Sequence, residues 1–171
     1  MKTALFIGRF QPFHNGHLSA VKQILSENDR ILIGIGSSQY SNTKDNPFSA
    51  EERKEMIQKV LDKEGISNYE IIFIPDIHKD PEWADYVKDL CPVFDKVYTG
   101  SERTKKCFEM AKNKCPVKAV KIKIEISSTE IRRRIKEDED WKSLVPAVIA
   151  EEIERINGIN RIKEIWEESA D

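Results

Sequence analysis

No stretch of the 171-residue chain reaches the roughly 18 consecutive apolar residues of a membrane-spanning helix. The apolar part of the opening MKTALFIG is too short for a signal peptide, so the chain is expected to stay cytoplasmic, without a membrane partner. Net charge is nearly absent, because 28 basic and 30 acidic side chains leave only −2. That balance gives no global attraction to nucleic acid or an anionic membrane, so any anion site must be local. Cysteine is scarce: Cys91, Cys107 and Cys115 form no CxxC pair and have no histidine close by, which reads as reduced thiols and argues against zinc. No internal repeat, low-complexity linker or composition shift divides the chain. With 39% hydrophobic residues, its length suits one domain with a full core.

What is present alternates. The runs TALFIG (3–8), RILIGIG (30–36), YEIIFIP (69–75), DKVYTG (95–100) and AVKIKIEI (119–126) are separated by segments with helical periodicity. This βαβ order predicts an α/β fold, an open parallel sheet with helices on both faces. The first four runs are almost continuously apolar, as buried parallel strands require. The last alternates, as an edge or half-exposed strand does.

Caps place several helices. SAEERKEMIQKVLDKEG opens with Ser49 three residues before Glu52, a capping box, and closes at Gly65, which suits a left-handed C-cap. DPEWADYVKDL offers Asp80 as N-cap and Pro81 as the first helical residue. SSTEIRRRIKEDE opens with a box from Ser127 to Glu130, or with a cap one residue later. The tail reads as two helices divided at Gly158. The expected organisation is a single domain, with an α/β core over 1–126 and helices over 127–171.

The segment GRFQPFHNGH follows the first strand directly. Gly8 ends that strand at the carboxyl edge of the sheet, where open α/β folds bind ligands. A helix starting near Asn15 or Gly16 would point its first backbone N–H groups there. His14 and His17, three apart, would then share one face. Imidazoles, Arg9 and a helix N-terminus suit an anion, above all a phosphate. A histidine at a helix start is commonly a cap, but ISSTEIRRR (126–134) repeats the arrangement after a later strand, with hydroxyls and an arginine.

These two segments resemble the paired HxGH and STEIR signatures of the nucleotidyltransferase superfamily, which transfers AMP or CMP to a phosphate. GIGSSQ, NPFSAEER, a tryptophan in the helix after the third strand, PVFDKVYTG and STEIRRR extend the likeness, in order, to the archaeal type of the nicotinamide-mononucleotide adenylyltransferase family. The resemblance implies a Rossmann-like fold, a symmetric homo-oligomer, and attack of a mononucleotide 5′-phosphate on the α-phosphorus of ATP. A phosphate monoester has its second pKa near 6, so it is already an anion at neutral pH and needs no general base. Catalysis would come from alignment and charge stabilisation.

By motif match, His17 and His14 contact the triphosphate, with His17 at the α-phosphoryl group. Arg132 draws off charge as pyrophosphate leaves. Gly8, Arg9, Phe10, Gly16, Ser127, Ser128, Thr129 and Gly100 surround the ATP phosphates. Ser38, Gln39, Phe48, Arg53 and Trp83 match the mononucleotide side. The Trp83 indole could stack on a pyridinium ring or pack on the sheet. Mg²⁺ is expected on the phosphates themselves, with no protein metal ligands, since no acidic cluster forms a protein cage for it.

The chain departs from that family in two loops. SERTKK (101–106) follows VYTG where an asparagine and an apolar pair are usual, and Asp45 takes the place of a basic residue before PF, beside Lys44. A related enzyme using nicotinate mononucleotide, phosphopantetheine, FMN or glycerol phosphate is the nearest alternative. A nucleic-acid patch at RRRIK (132–136) is opposed by the acidic EDED (137–140) that follows it.

Overall fold

In the computed structural model the described residues are 1–120 and 126–170. The chain divides into two compact units. The first holds Met1–Gly8, Ala20–Ser38 and the described part of Asn68–Lys121. The second holds Arg9–Ser19, Gln39–Ser67 and the described part of Ile122–Asp171.

The first unit carries the sheet. Strands β1 (Thr3–Gly8), β2 (Arg30–Ile35), β3 (Tyr69–Phe73), β4 (Lys96–Thr99) and β5 (Val117–Ala119) lie in the order β3-β2-β1-β4-β5, with every pair parallel. That order places the topological switch beside β1, whose carboxyl end is Gly8. The helix α1 (Asn15–Glu27) connects β1 to β2 and runs through both units, while α3 (Asp80–Leu90) and α4 (Glu102–Met110) belong to the first. Leu5, Ile7, Leu32, Ile74, Val97 and Phe108 meet in its core, each buried side chain of this kind contributing about 1.5–3 kcal/mol.

Three expectations change here. β3 is half-buried throughout, because it forms a sheet edge with only β2 beside it; an apolar run does not reveal its place in the strand order. The fifth strand begins earlier than expected, at Val117, and residues 121–125 of the anticipated 119–126 run lie outside the described residues. In α3 the cap position falls to Lys79, and Asp80 enters the first turn, where its carboxylate accepts from Arg103 at 2.7 Å.

The second unit is helical. It contains α2 (Ala50–Lys63), α5 (Ser128–Lys136), a 3₁₀ turn at Lys142–Leu144, α6 (Ala147–Arg155) and α7 (Gly158–Glu168). Ser49 and Glu52 form the expected capping box on α2, and Gly65, with φ +69°, follows its end in the left-handed region. Ser127 caps α5. Between α6 and α7 the left-handed residue is Asn157, while Gly158 opens α7. Gly158 is needed for its smallness, since a Cβ there would lie 2.9 Å from the Ile153 carbonyl and 3.0 Å from the Phe48 ring. Among the described residues no helix is long and apolar enough to cross a membrane.

Candidate active site

The second unit is organised around the segment Arg9–His17. Phe10 is buried in the left-handed region at φ +54°, a conformation costing a non-glycine residue about 1–3 kcal/mol. Its surroundings enforce it: the Phe10 and Phe13 rings are 5.7 Å apart, and the His17 imidazole meets Phe10 edge-on at 4.8 Å. The carbonyls of this turn are claimed one after another. Arg53 Nη1 donates to Arg9 at 2.9 Å, Arg132 Nη1 to Gln11 at 2.9 Å, and Ser128 Oγ to Pro12 at 2.9 Å. The Gln11 side chain completes the frame, donating to the Phe48 carbonyl at 2.9 Å and accepting from the Phe48 N–H at 3.0 Å.

The histidines form a capping box of their own. His14 precedes α1, and its Nδ1 accepts from the N–H groups of Gly16 at 3.1 Å and His17 at 3.3 Å. His17, three residues in, returns the bond: its Nδ1 accepts from the His14 N–H at 3.1 Å. An Nδ1 that accepts carries no proton, so in both rings the proton of the neutral form sits on Nε2. The rings stack with centroids 3.6 Å apart. Burial pushes the His14 pKa down from 6.5 to about 4. Burial, with His14 adding to it, holds His17 well below 6.5. At neutral pH both are uncharged hydrogen-bond donors.

Positive charge comes from arginine. Arg53 is fully buried, its Nε donating to the Ser49 carbonyl at 3.2 Å, and Arg132 is 3% exposed. Burial lowers the pKa of both, that of Arg53 to about 10, and the charge on Arg9 lowers both further. The charge of Arg9 adds to the cost of both buried guanidiniums, a cost that a bound anion would relieve. Among the described residues, no group of three or more His, Cys, Asp or Glu side chains could hold a metal ion.

The hydroxyls of α5 turn out to be partly occupied. Ser127 Oγ accepts from the Glu130 N–H, and Thr129 Oγ1 lies 3.5 Å from Arg132 Nη2. Ser128, which donates to Pro12, is the one of the three that these bonds tie to the turn. Phe48, expected beside the mononucleotide, is completely buried and packs under the Arg161 guanidinium at 5.9 Å. Gln39 is exposed in this unit.

The other anticipated residues sit in the sheet unit. Ser38 is half-buried, donating its N–H to Ile74 at 3.3 Å, and Gly100 is exposed after β4 with open space around its Cα. Trp83 is 9% exposed; its Nε1 donates to the Pro75 carbonyl at 3.1 Å and its ring meets Phe108 edge-on. In this unit the indole packs on Phe108 with its N–H satisfied, and its stacking on a pyridinium ring stays an expectation. Gln11, quoted in the motif without a role, is the residue that sequence reasoning missed. Only its burial and its pairing with the distant Phe48 show the role.

The chain is similar to known proteins in sequence and in fold. A cytidylyltransferase-like family model matches residues 5–134. The chain is 48% identical over 162 residues to a nicotinamide-nucleotide adenylyltransferase of Methanococcus aeolicus, spanning 95% of this chain and 94% of that one. It is 44% identical over 161 residues to one of Thermococcus sibiricus, spanning 93% and 87%. A solved bifunctional NMN adenylyltransferase/ADP ribose pyrophosphatase of Francisella tularensis, complexed with AMP and a manganese ion, has the same fold, with TM-score 0.69 and 23% identity. The match covers 98% of this chain and 56% of that protein.

Proposed function

The chain belongs to the cytidylyltransferase-like family, and on that premise we propose that it transfers AMP from ATP to nicotinamide mononucleotide, forming NAD and pyrophosphate. The observation that carries this reading is the pair of neutral imidazoles, both with Nε2–H, in the same unit as Arg9, Arg53 and Arg132. The acceptor phosphate, an anion at neutral pH, attacks the α-phosphorus. A new P–O bond forms as the bond to the bridging α–β oxygen breaks, and pyrophosphate leaves with that electron pair.

No proton has to be removed from the nucleophile, so the histidines act as donors. The Nε2–H groups of His14 and His17 hydrogen-bond the phosphoryl oxygens where charge builds, with His17 at the α-phosphoryl group. Arg132 and Arg9 stabilise the departing pyrophosphate. Arg53 positions the turn by holding the Arg9 carbonyl. A divalent cation such as Mg²⁺, when bound to the nucleotide, would supply charge neutralisation to the phosphates. Ser38 and Gln39 are the acceptor-side candidates, and the chain works as one nucleotidyltransferase domain.

The test is direct. Purified protein with ATP, Mg²⁺ and nicotinamide mononucleotide should release pyrophosphate and form NAD in equal amounts. Turnover of another phosphate acceptor, with no NAD formed, would overturn the assignment.

A further inference from the structure

We propose that Asp45 is a built-in anion that competes with phosphate for Arg132 and thereby sets how tightly the site holds a polyphosphate. The inference rests on the reading of Arg132 as a phosphate-binding group.

Arg132 is a nearly buried cation with incomplete hydrogen bonding. Nη1 is well used by the Gln11 carbonyl at 2.9 Å, but Nη2 reaches Thr129 Oγ1 only at 3.5 Å, and the buried Nε has no acceptor among the described residues. The carboxylate that faces this guanidinium is Asp45, with Oδ1 3.7 Å from Nη2. That separation gives Coulomb attraction without a good hydrogen bond. Asp45 is itself 75% exposed, so it can exchange the guanidinium for water at little cost.

The turn that carries Asp45 is ordered. Thr43 donates its N–H to the Asn46 carbonyl at 3.2 Å, and the Asn46 N–H donates back to Thr43 Oγ1 at 3.1 Å. Lys44 lies over the Trp166 ring at 4.6 Å, which ties the turn to α7, and Lys136 of α5 lies 4.9 Å from the same ring. The neighbour of Asp45, Asn46, has a buried Oδ1 without a donor among the described residues. An unmet donor on Arg132 and a weakly held carboxylate opposite it are what a group awaiting exchange presents. A phosphate arriving at Arg132 replaces a carboxylate rather than filling neutral space. Binding is weakened by that replacement, and departure of pyrophosphate is assisted when Asp45 returns.

The experiment is calorimetric titration of the full chain with inorganic pyrophosphate and inorganic triphosphate, without metal. Asp45→Asn should bind both roughly two- to fivefold more tightly than the wild type, the range of an exposed ion pair, without a change in melting temperature. Asp45→Glu, which keeps the charge, should stay with the wild type, and Arg132→Ala should lose affinity. If Arg132→Ala loses affinity while Asp45→Asn matches the wild type, Asp45 is no competitor. If Arg132→Ala binds as tightly as the wild type, the phosphate-site reading itself falls.

Discussion

Two helices of the second unit begin with the same reciprocal capping geometry, built from different chemistry. On α2, Ser49 Oγ accepts from the Glu52 N–H at 3.2 Å and Glu52 Oε2 from the Ser49 N–H at 3.2 Å. On α1, His14 and His17 make the equivalent bonds at 3.3 and 3.1 Å with ring nitrogens. Serine and glutamate satisfy the orphan N–H groups with ordinary capping side chains, and the Glu52 carboxylate also pairs with Arg161. Two imidazoles do the same work with Nδ1, and in the neutral form each carries its proton on Nε2. The cost is the burial of two titratable rings, a cost that capping alone does not require. Capping therefore explains how the α1 histidines are held, and the donor role proposed for their Nε2–H groups would explain why they are histidines.

The sharpest way to separate those roles is to keep the cap and remove the donors. The double variant His14→Ser with His17→Gln retains a capping box, so α1 keeps its start and the melting temperature should fall only by the packing of the lost rings. Its kcat should fall by about two to three orders of magnitude, the loss that follows removal of a preorganised charge-stabilising group, and His17→Ala should fall as far. A normal kcat in the capped double variant would reduce the histidines to caps.

Acid separates the two boxes by stability. In the unfolded chain a histidine titrates near 6.5, whereas burial holds His14 down at about 4 in the folded protein. Between these values the unfolded state binds a proton that the folded state refuses, so stability is full above pH 6.5 and is lost as pH falls through 4. A gap of that size corresponds to about 3 kcal/mol from His14. Thermal melts from pH 7 to pH 4.5 should show the decline, and His14→Asn, which caps without titrating, should make it shallower while the share of His17 persists. An unchanged pH dependence in that variant would move the acid sensitivity elsewhere.

Much of this architecture is legible in local pattern. Strands appear as apolar runs, helix starts as Ser49 and Ser127, and the proposed anion site as two signature segments, because each depends on residues close in the chain. The remainder depends on packing. Arg53 stands at the spacing of Met56, Ile57 and Val60, the apolar stripe of α2, and that position was the available sign of its complete burial. Its partner, the Arg9 carbonyl, is visible only once the chain is folded. The half-exposure of β3 and the approach of Asp45 to Arg132 likewise depend on strand order and tertiary contact.

The smallest expected effect tests the ordinary box. Ser49→Ala removes the oxygen that accepts from Glu52 and leaves that N–H without its cap, which costs about 1 kcal/mol and should lower the melting temperature by roughly 2–4 °C. The Ser49 carbonyl survives the change, so Arg53 keeps its Nε bond and its grip on the Arg9 carbonyl. Glu52 keeps its 2.6 Å ion pair with Arg161, which holds the first turn of α2 against α7. kcat should therefore match the wild type. A drop in kcat out of proportion to the loss of stability would mean that the α2 cap, and with it the seating of Arg53, governs the phosphate turn as directly as the histidine box does.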